Sequence, residues 1–106
     1  MKFTVNRKRW ARGGKGGDPE LRNRSKNQCC LGFCARQLGY KAHEIQAHDL
    51  PTMVDASYNR SLCLPLYRLQ RHAALINDDA VLKDPERERL LKGLFRSYGH
   101  TIRFEG

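Results

Sequence analysis

The sequence predicts a small single-domain α+β fold, with about three helices packed on a short antiparallel sheet that includes both terminal strands. Three observations carry that prediction. Apolar residues alternate with polar ones at both ends of the chain, as Phe3 and Val5 and again as Ile102 and Phe104. Between the ends, three stretches repeat apolar residues at helical spacing and stop at glycine or at a cluster of turn residues. At 106 residues the chain is long enough for one modest core and too short for two, so residues 1–106 read as one domain.

Taken in order, Lys2 to Val5 reads as a half-buried strand with Phe3 and Val5 inward. Residues 6–17 follow as a flexible basic loop, in which Arg7, Lys8, Arg9, Arg12 and Lys15 surround Trp10, and two glycine pairs admit backbone angles that other residues avoid. Asp18-Pro19-Glu20-Leu21 has the form of a helix start, because Asp can cap free N–H groups and Pro has none to leave unpaired. A longer helix is expected from about Gln28 to Leu38, with Cys30, Leu31, Cys34 and Leu38 on one face and Gly39 as terminator.

Tyr40 to Arg60 has no sustained period and contains Pro51, so it reads as a turn of helix near His43 to Gln46 in otherwise irregular chain, with a further strand within Thr52 to Tyr58. Pro65 opens a helix through about Asn77 with Leu66, Leu69, Ala73 and Ile76 on one face, ended by Asn77-Asp78-Asp79. Asp84-Pro85-Glu86 repeats the cap-and-proline signature ahead of Arg87 to Tyr98, where Leu90, Leu91, Leu94, Phe95 and Tyr98 form a wide apolar face and Glu88 stands four residues before Lys92. Gly99 ends this helix and His100 to Phe104 alternates into a last strand, expected to pair with the first. A lone two-stranded ribbon is marginal in water, which is why helices on one face and a third strand are expected.

The net charge of +9 is unevenly placed: nine of the 20 Lys and Arg but only two of the 11 acidic residues lie in the first 26 positions. Such clustering concentrates polyanions near the chain, whether nucleic acid, a nucleotide or an acidic protein surface. No apolar run reaches the length of a membrane span, and the basic start leads into Gly, Arg and Lys rather than the apolar centre of a secretory signal. Cytoplasmic residence and reduced thiols for Cys29, Cys30, Cys34 and Cys63 are therefore expected.

Trp10-Ala11-Arg12-Gly13, Leu21, Cys29-Cys30-Leu31-Gly32-Phe33, Gly39 and Asn77-Asp78-Asp79 resemble, in that order, a group of small bacteriophage and prophage proteins marked by a Cys-Cys-Leu-Gly core. The resemblance implies a phage accessory protein working in the cytoplasm of a bacterial host, and implies no particular chemistry. The Gly-rich basic arm and Cys34 depart from the pattern of that group.

Five constellations suggest chemistry. Cys30, Cys34, His43 and His48 supply two thiols and two imidazoles, as a short zinc site would, but the gap between the pairs is short and both cysteines fall on an apolar helix face. Buried thiols acting as small hydrophobes explain them without zinc, so no cofactor is expected. Cys29 or Cys30 at a helix N-terminus near Lys26 could be a nucleophile with His43, His48, His72 or His100 as base, yet nothing singles out one histidine. Asp78, Asp79, Asp84 and Glu86 suit helix ends better than a calcium loop, and Gly13 to Gly17 is not followed by the Gly-Lys-Ser/Thr of a phosphate loop.

The fifth is the basic region itself, where Lys and Arg can neutralise phosphates and Trp10 can stack on a base. The expectation is a non-enzymatic accessory protein binding an anionic ligand, nucleic acid or a nucleotide, through Arg7, Lys8, Arg9, Trp10, Arg12, Lys15, Arg22 and Arg24. The alternatives are an inhibitor or modulator of a host enzyme that presents the same face to an acidic protein, and a small cysteine-dependent enzyme.

Overall fold

Alternation at the two ends does produce two strands, β1 (Lys2–Asn6) and β2 (Thr101–Glu105), with Phe3, Val5, Ile102 and Phe104 turned into the core. The computed structural model describes all 106 residues and pairs these strands with each other, Lys2 opposite Thr101 and Asn6 opposite Glu105. The pairing is parallel, which overturns the antiparallel sheet expected from the sequence, and no third strand joins it. Alternation fixes which side chains face inward but carries no information on direction. Direction is set by the helix before β2, which runs for 14 residues, about 21 Å at helical rise, and returns the chain to the level of Met1 before Gly99 turns it (φ 80°).

Five helices, not about three, lie between the strands: α1 (Cys30–Gln37), α2 (Ala42–Ile45), α3 (Pro51–Tyr58), α4 (Gln70–Asp78) and α5 (Asp84–Ser97). The stretch read as a third strand is α3. Pro51 sits in its first turn, where a missing N–H costs nothing, and Asn59 ends it in the left-handed conformation (φ 51°). The helix expected from Pro65 is divided into a 3-10 turn at Leu64–Leu66 and α4, while Leu66, Leu69 and Ala73 are buried as their spacing requires.

Asp18 to Leu21 forms no helix. Leu21 N–H donates to the His48 carbonyl at 2.8 Å and Cys29 N–H to the Glu20 carbonyl at 3.0 Å, so the segment is tied to its neighbours as extended chain. The rest of the segment after β1 is tied down as well. Ala11 N–H donates to the Gln28 carbonyl (2.8 Å), Gln28 N–H to the Arg9 carbonyl (2.9 Å), and Arg12 and Lys15 exchange both backbone bonds across a turn at Gly13-Gly14. The loop read as flexible is pinned along its length.

A single core of 20 buried residues joins all of this, with Trp10, Tyr40, Phe3, Phe95 and a set of leucines as its largest members. Phe3 meets Phe95 edge to face and Trp10 lies against Phe104, so each strand is fixed by aromatic contact as well as by the ladder.

Candidate functional site

The basic segment between β1 and α1 is organised by two buried polar side chains that come from elsewhere in the chain. Asn77, at the end of α4, is fully buried. Its Oδ1 accepts from the Trp10 indole (2.7 Å) and from the Cys30 N–H at the start of α1 (3.0 Å), while its Nδ2 donates to the Ala11 carbonyl (2.9 Å). The Trp-Ala-Arg-Gly, Cys-Cys-Leu-Gly and Asn-Asp-Asp stretches thus meet at one amide. Arg87, in the first turns of α5, is equally enclosed: Nη1 donates to the carbonyls of Ile76, Asn77 and Asp79 (2.8–2.9 Å) and Nη2 to that of Leu82 (2.6 Å). It satisfies carbonyls that the end of α4 leaves without helical partners.

Against this frame the basic residues separate into two groups. Arg7 is held by Glu88 through two bonds of 2.8 and 2.7 Å. Arg12 donates Nε and Nη2 to Asp84 (3.2 and 2.9 Å) and Nη1 to the Trp10 carbonyl (2.7 Å), and its guanidinium lies over the Trp10 ring. These bonds hold the Asp84 carboxyl below its ordinary range. Lys15 reaches the same carboxylate at 3.6 Å from a mostly exposed position. Trp10 itself is 1% exposed, so the ring expected to stack on a base is closed off in the core.

Lys8, Arg9 and Arg24 are exposed and Arg22 is half-buried, and none of the four meets an acidic side chain. Lys26, outside the set expected from the sequence, is in the same condition. Backbone bonds bring these residues onto adjoining segments. Asn23 N–H donates to the Asn27 carbonyl, and the Asn23 side chain accepts from the N–H groups of Ser25 and Asn27, closing a tight turn that carries Arg24 and Lys26 (φ 64°). Gln28, just beyond it, is bonded to Arg9. The result is a fixed rim bearing Lys8, Arg9, Arg24 and Lys26. The Gly13 and Lys15 N–H groups, which a phosphate cradle would need, are bonded to the carbonyls of Asn77 and Arg12.

The thiols face inward. All four cysteines are free and buried, and burial pushes Cys29 up to about 12, Cys63 up to about 11, and Cys30 and Cys34 well above their ordinary value. Cys29 stands at the N-terminal cap of α1, but the desolvation there outweighs the help of the nearby N–H groups. Of the proposed zinc ligands, Cys30 and Cys34 are fully buried whereas His43 is exposed and His48 half-buried; no group of three or more His, Cys, Asp or Glu side chains stands close enough to hold a metal. His72 is exposed, and His100 Nε2 bonds the Pro65 carbonyl at 2.9 Å.

A second polar cluster that sequence reasoning missed lies between α1 and α3. Tyr40 donates to Asp55 (2.5 Å), Asp55 also accepts from Cys63 N–H (2.9 Å), and Arg60 grips Glu44 through two bonds of 2.9 Å while lying over the Tyr40 and Tyr58 rings. The Arg60 hydrogen bonds and that from Lys41 N–H bring the Glu44 carboxyl down to about 2. Nothing short of the tertiary fold places these residues together, and no periodicity signals them. The models of known protein families include none that matches this chain, and neither the curated proteins nor the solved structures include a match to it.

Proposed function

We propose that this chain is a non-enzymatic accessory protein that binds nucleic acid through phosphate contacts, using the pinned basic rim of Lys8, Arg9, Arg24 and Lys26 together with Lys15 and Arg22. The observation that carries the reading is the fixed placement of Lys8, Arg9, Arg24 and Lys26, exposed cations that no acidic side chain neutralises, whereas Arg22 is half-buried and Lys15 is shared with Asp84. Cations held on an ordered backbone lose less freedom on meeting a phosphate backbone than cations on a mobile arm, and their counterions are released on binding. With Trp10 inside, base stacking contributes nothing, so the binding is insensitive to sequence and steep in salt. Inward-facing thiols held as uncharged groups favour this reading over a cysteine-dependent enzyme. On the resemblance to small phage proteins, the setting we propose is the host cytoplasm; no helix is long and apolar enough to cross a membrane.

Anisotropy of a labelled oligonucleotide, titrated across a range of salt concentrations, tests it. Each phosphate contact on a single strand contributes about 0.7 to the slope of log K against log salt, so replacing Lys8, Arg9, Arg24 and Lys26 by Ala lowers the slope by about 2 to 3. Replacing Arg7 and Arg12 instead disturbs the fold rather than the slope, because their guanidinium groups already hold Glu88 and Asp84. An unchanged slope in the quadruple variant, with its Trp10 emission still that of a buried indole, rejects the reading.

A further inference from the structure

α4 carries two stripes of different kinds. Gln70, Ala73 and Asn77 are buried, whereas Arg71, Ala74, Leu75 and Asp78 recur at helical spacing on a face that the chain leaves open. A groove of about 480 Å³ runs between this second stripe and Pro19, Asp49 and Leu50. Its far wall is fixed, because the Leu21 N–H bond to the His48 carbonyl ties the segment of Pro19 to that of Asp49 and Leu50. Leu50 and Ala74 are half-buried, Leu75 is 72% exposed, and Asp49, Arg71 and Asp78 are all exposed, so the groove is open to solvent.

The charges in this groove are segregated and unpaired. Arg71 stands seven residues before Asp78 on the same face, about 10 Å away along the helix axis. Neither the Asp49 carboxylate nor the Arg71 guanidinium takes part in an ion pair within the chain, and Asp78 has only the Asn77 amide, which donates to its Oδ1 at 2.9 Å. Withdrawal from water and, beside it, the like charge of Asp49 hold the Asp78 carboxyl above its ordinary range, against the opposing effects of the Asn77 amide and of Arg87. Two carboxylates at the C-terminal end of a helix are an unfavourable placement, which a cation relieves. The apolar floor between the charged ends suits an alkyl stem and not a hydrated metal ion. We propose that this groove binds a primary ammonium and a carboxylate joined by a short alkyl stem, the shape of an ω-amino acid or of a lysine at the C-terminus of a polypeptide. The ammonium lies between Asp49 and Asp78, the stem on Leu50, Ala74 and Leu75, and the carboxylate on Arg71. A diamine would bring a second cation to Arg71, and a purely apolar ligand would bury the carboxylates without a partner. None of Lys8, Arg9, Arg24 and Lys26 lines the groove, so the site is independent of the basic rim.

Methyl resonances of Leu50, Ala74 and Leu75 in the full chain, followed at low ionic strength during titration with ε-aminocaproate, test the proposal. n-Hexylamine and caproate, which each keep one of the two charges, serve as comparisons. ε-Aminocaproate is expected to shift the three methyl groups saturably, and each single-charge probe to bind about tenfold or more weakly. Asp49→Asn and Arg71→Ala, at side chains that make no ion pair within the fold, should each weaken ε-aminocaproate by a similar factor while leaving the thermal transition in place. Absence of saturable shifts, equally tight binding of n-hexylamine, or indifference to Asp49→Asn overturns the proposal, as do shifts confined to the basic rim. A peptide ending in lysine, compared with the same peptide amidated, separates the two sources, and either result supports the site. Tighter binding of the free-acid peptide assigns the groove to a polypeptide terminus, and binding of ε-aminocaproate alone assigns it to a free ω-amino acid.

Discussion

Asn77 uses all the hydrogen-bonding capacity of its amide oxygen on Trp10 and Cys30 and one amide proton on Ala11, and its backbone carbonyl takes Gly13 N–H (3.0 Å) and Arg87 (2.9 Å). Truncation to Ala leaves an indole N–H, a helix-start N–H and a carbonyl buried without partners. At about 1–3 kcal/mol for each unsatisfied group, the expected loss is about 3 kcal/mol or more. Urea unfolding checks it, and a loss below about 1 kcal/mol would mean that water replaces the amide. In the sequence, Asn77-Asp78-Asp79 is visible as a helix end, but the inward aim of Asn77 is not, because polar residues near helix ends ordinarily face solvent. Arg87 and Glu88 were hidden for the same reason. Glu88 stands in the right order for Lys92 on the same helix, yet its carboxylate is held by Arg7, 81 residues away.

At the scale of elements, the same three residues give opposite outcomes at two places. Asp84-Pro85-Glu86 opens α5, whereas Asp18-Pro19-Glu20 opens nothing. The two signatures are equivalent in sequence, and even at α5 Asp84 does not act as the cap, being the first helical residue with its carboxylate given to Arg12 and Arg87; but after Asp84 a helical apolar face follows, while between Leu21 and Cys29 every residue is polar. A start signal without a face to bury is overridden by the pairing of Leu21 with His48 and of Arg22 with Ala47. α1 was legible to within two residues at its start and one at its end because Cys30, Leu31 and Cys34 bury one stripe, and α5 because Leu91 and Phe95 are buried with Leu90 and Leu94 half-buried beside them. What remained illegible in α1 was why Gly32 stands in its first turn. A Cβ there would lie 1.9 Å from the Leu21 carbonyl oxygen, so the extended segment can lie against the helix only where the side chain is absent. Gly32→Ala is expected to cost about 3 kcal/mol or more by forcing backbone apart, while Gly93→Ala, in the exposed interior of α5 with nothing within 4 Å, should stabilise by about 0.5–1 kcal/mol. Thermal unfolding of the two variants checks both signs, and equal effects would contradict the packing described.

Over the whole molecule, the two outermost segments of sequence form the sheet, with all five helices between them in the chain. Face alternation made both strands legible and their pairing expected; it could not show that α5 brings β2 alongside β1 in the same direction, because that depends on helix length and on the turn at Gly99. The basic rim was partly legible for a related reason. Sequence gives the charges, but only the fold shows that Arg7 and Arg12 are held by Glu88 and Asp84 while Lys8, Arg9, Arg24 and Lys26 are left without acidic neighbours. A sheet closed by the chain ends makes the last strand structural for the whole domain. Ile102 stands opposite Phe3 in the ladder and Phe104 lies against Trp10 in the same core, and burial of two such side chains contributes about 3–6 kcal/mol, comparable to the entire stability of a small domain. Removing residues 100–106 is therefore expected to abolish the cooperative thermal transition and to shift Trp10 emission to that of an indole in water, even though α5, the longest helix, is intact in sequence. A shortened chain that kept a sharp transition and a buried indole would show that the core closes without β2, and that the helices rather than the terminal pair hold the fold together.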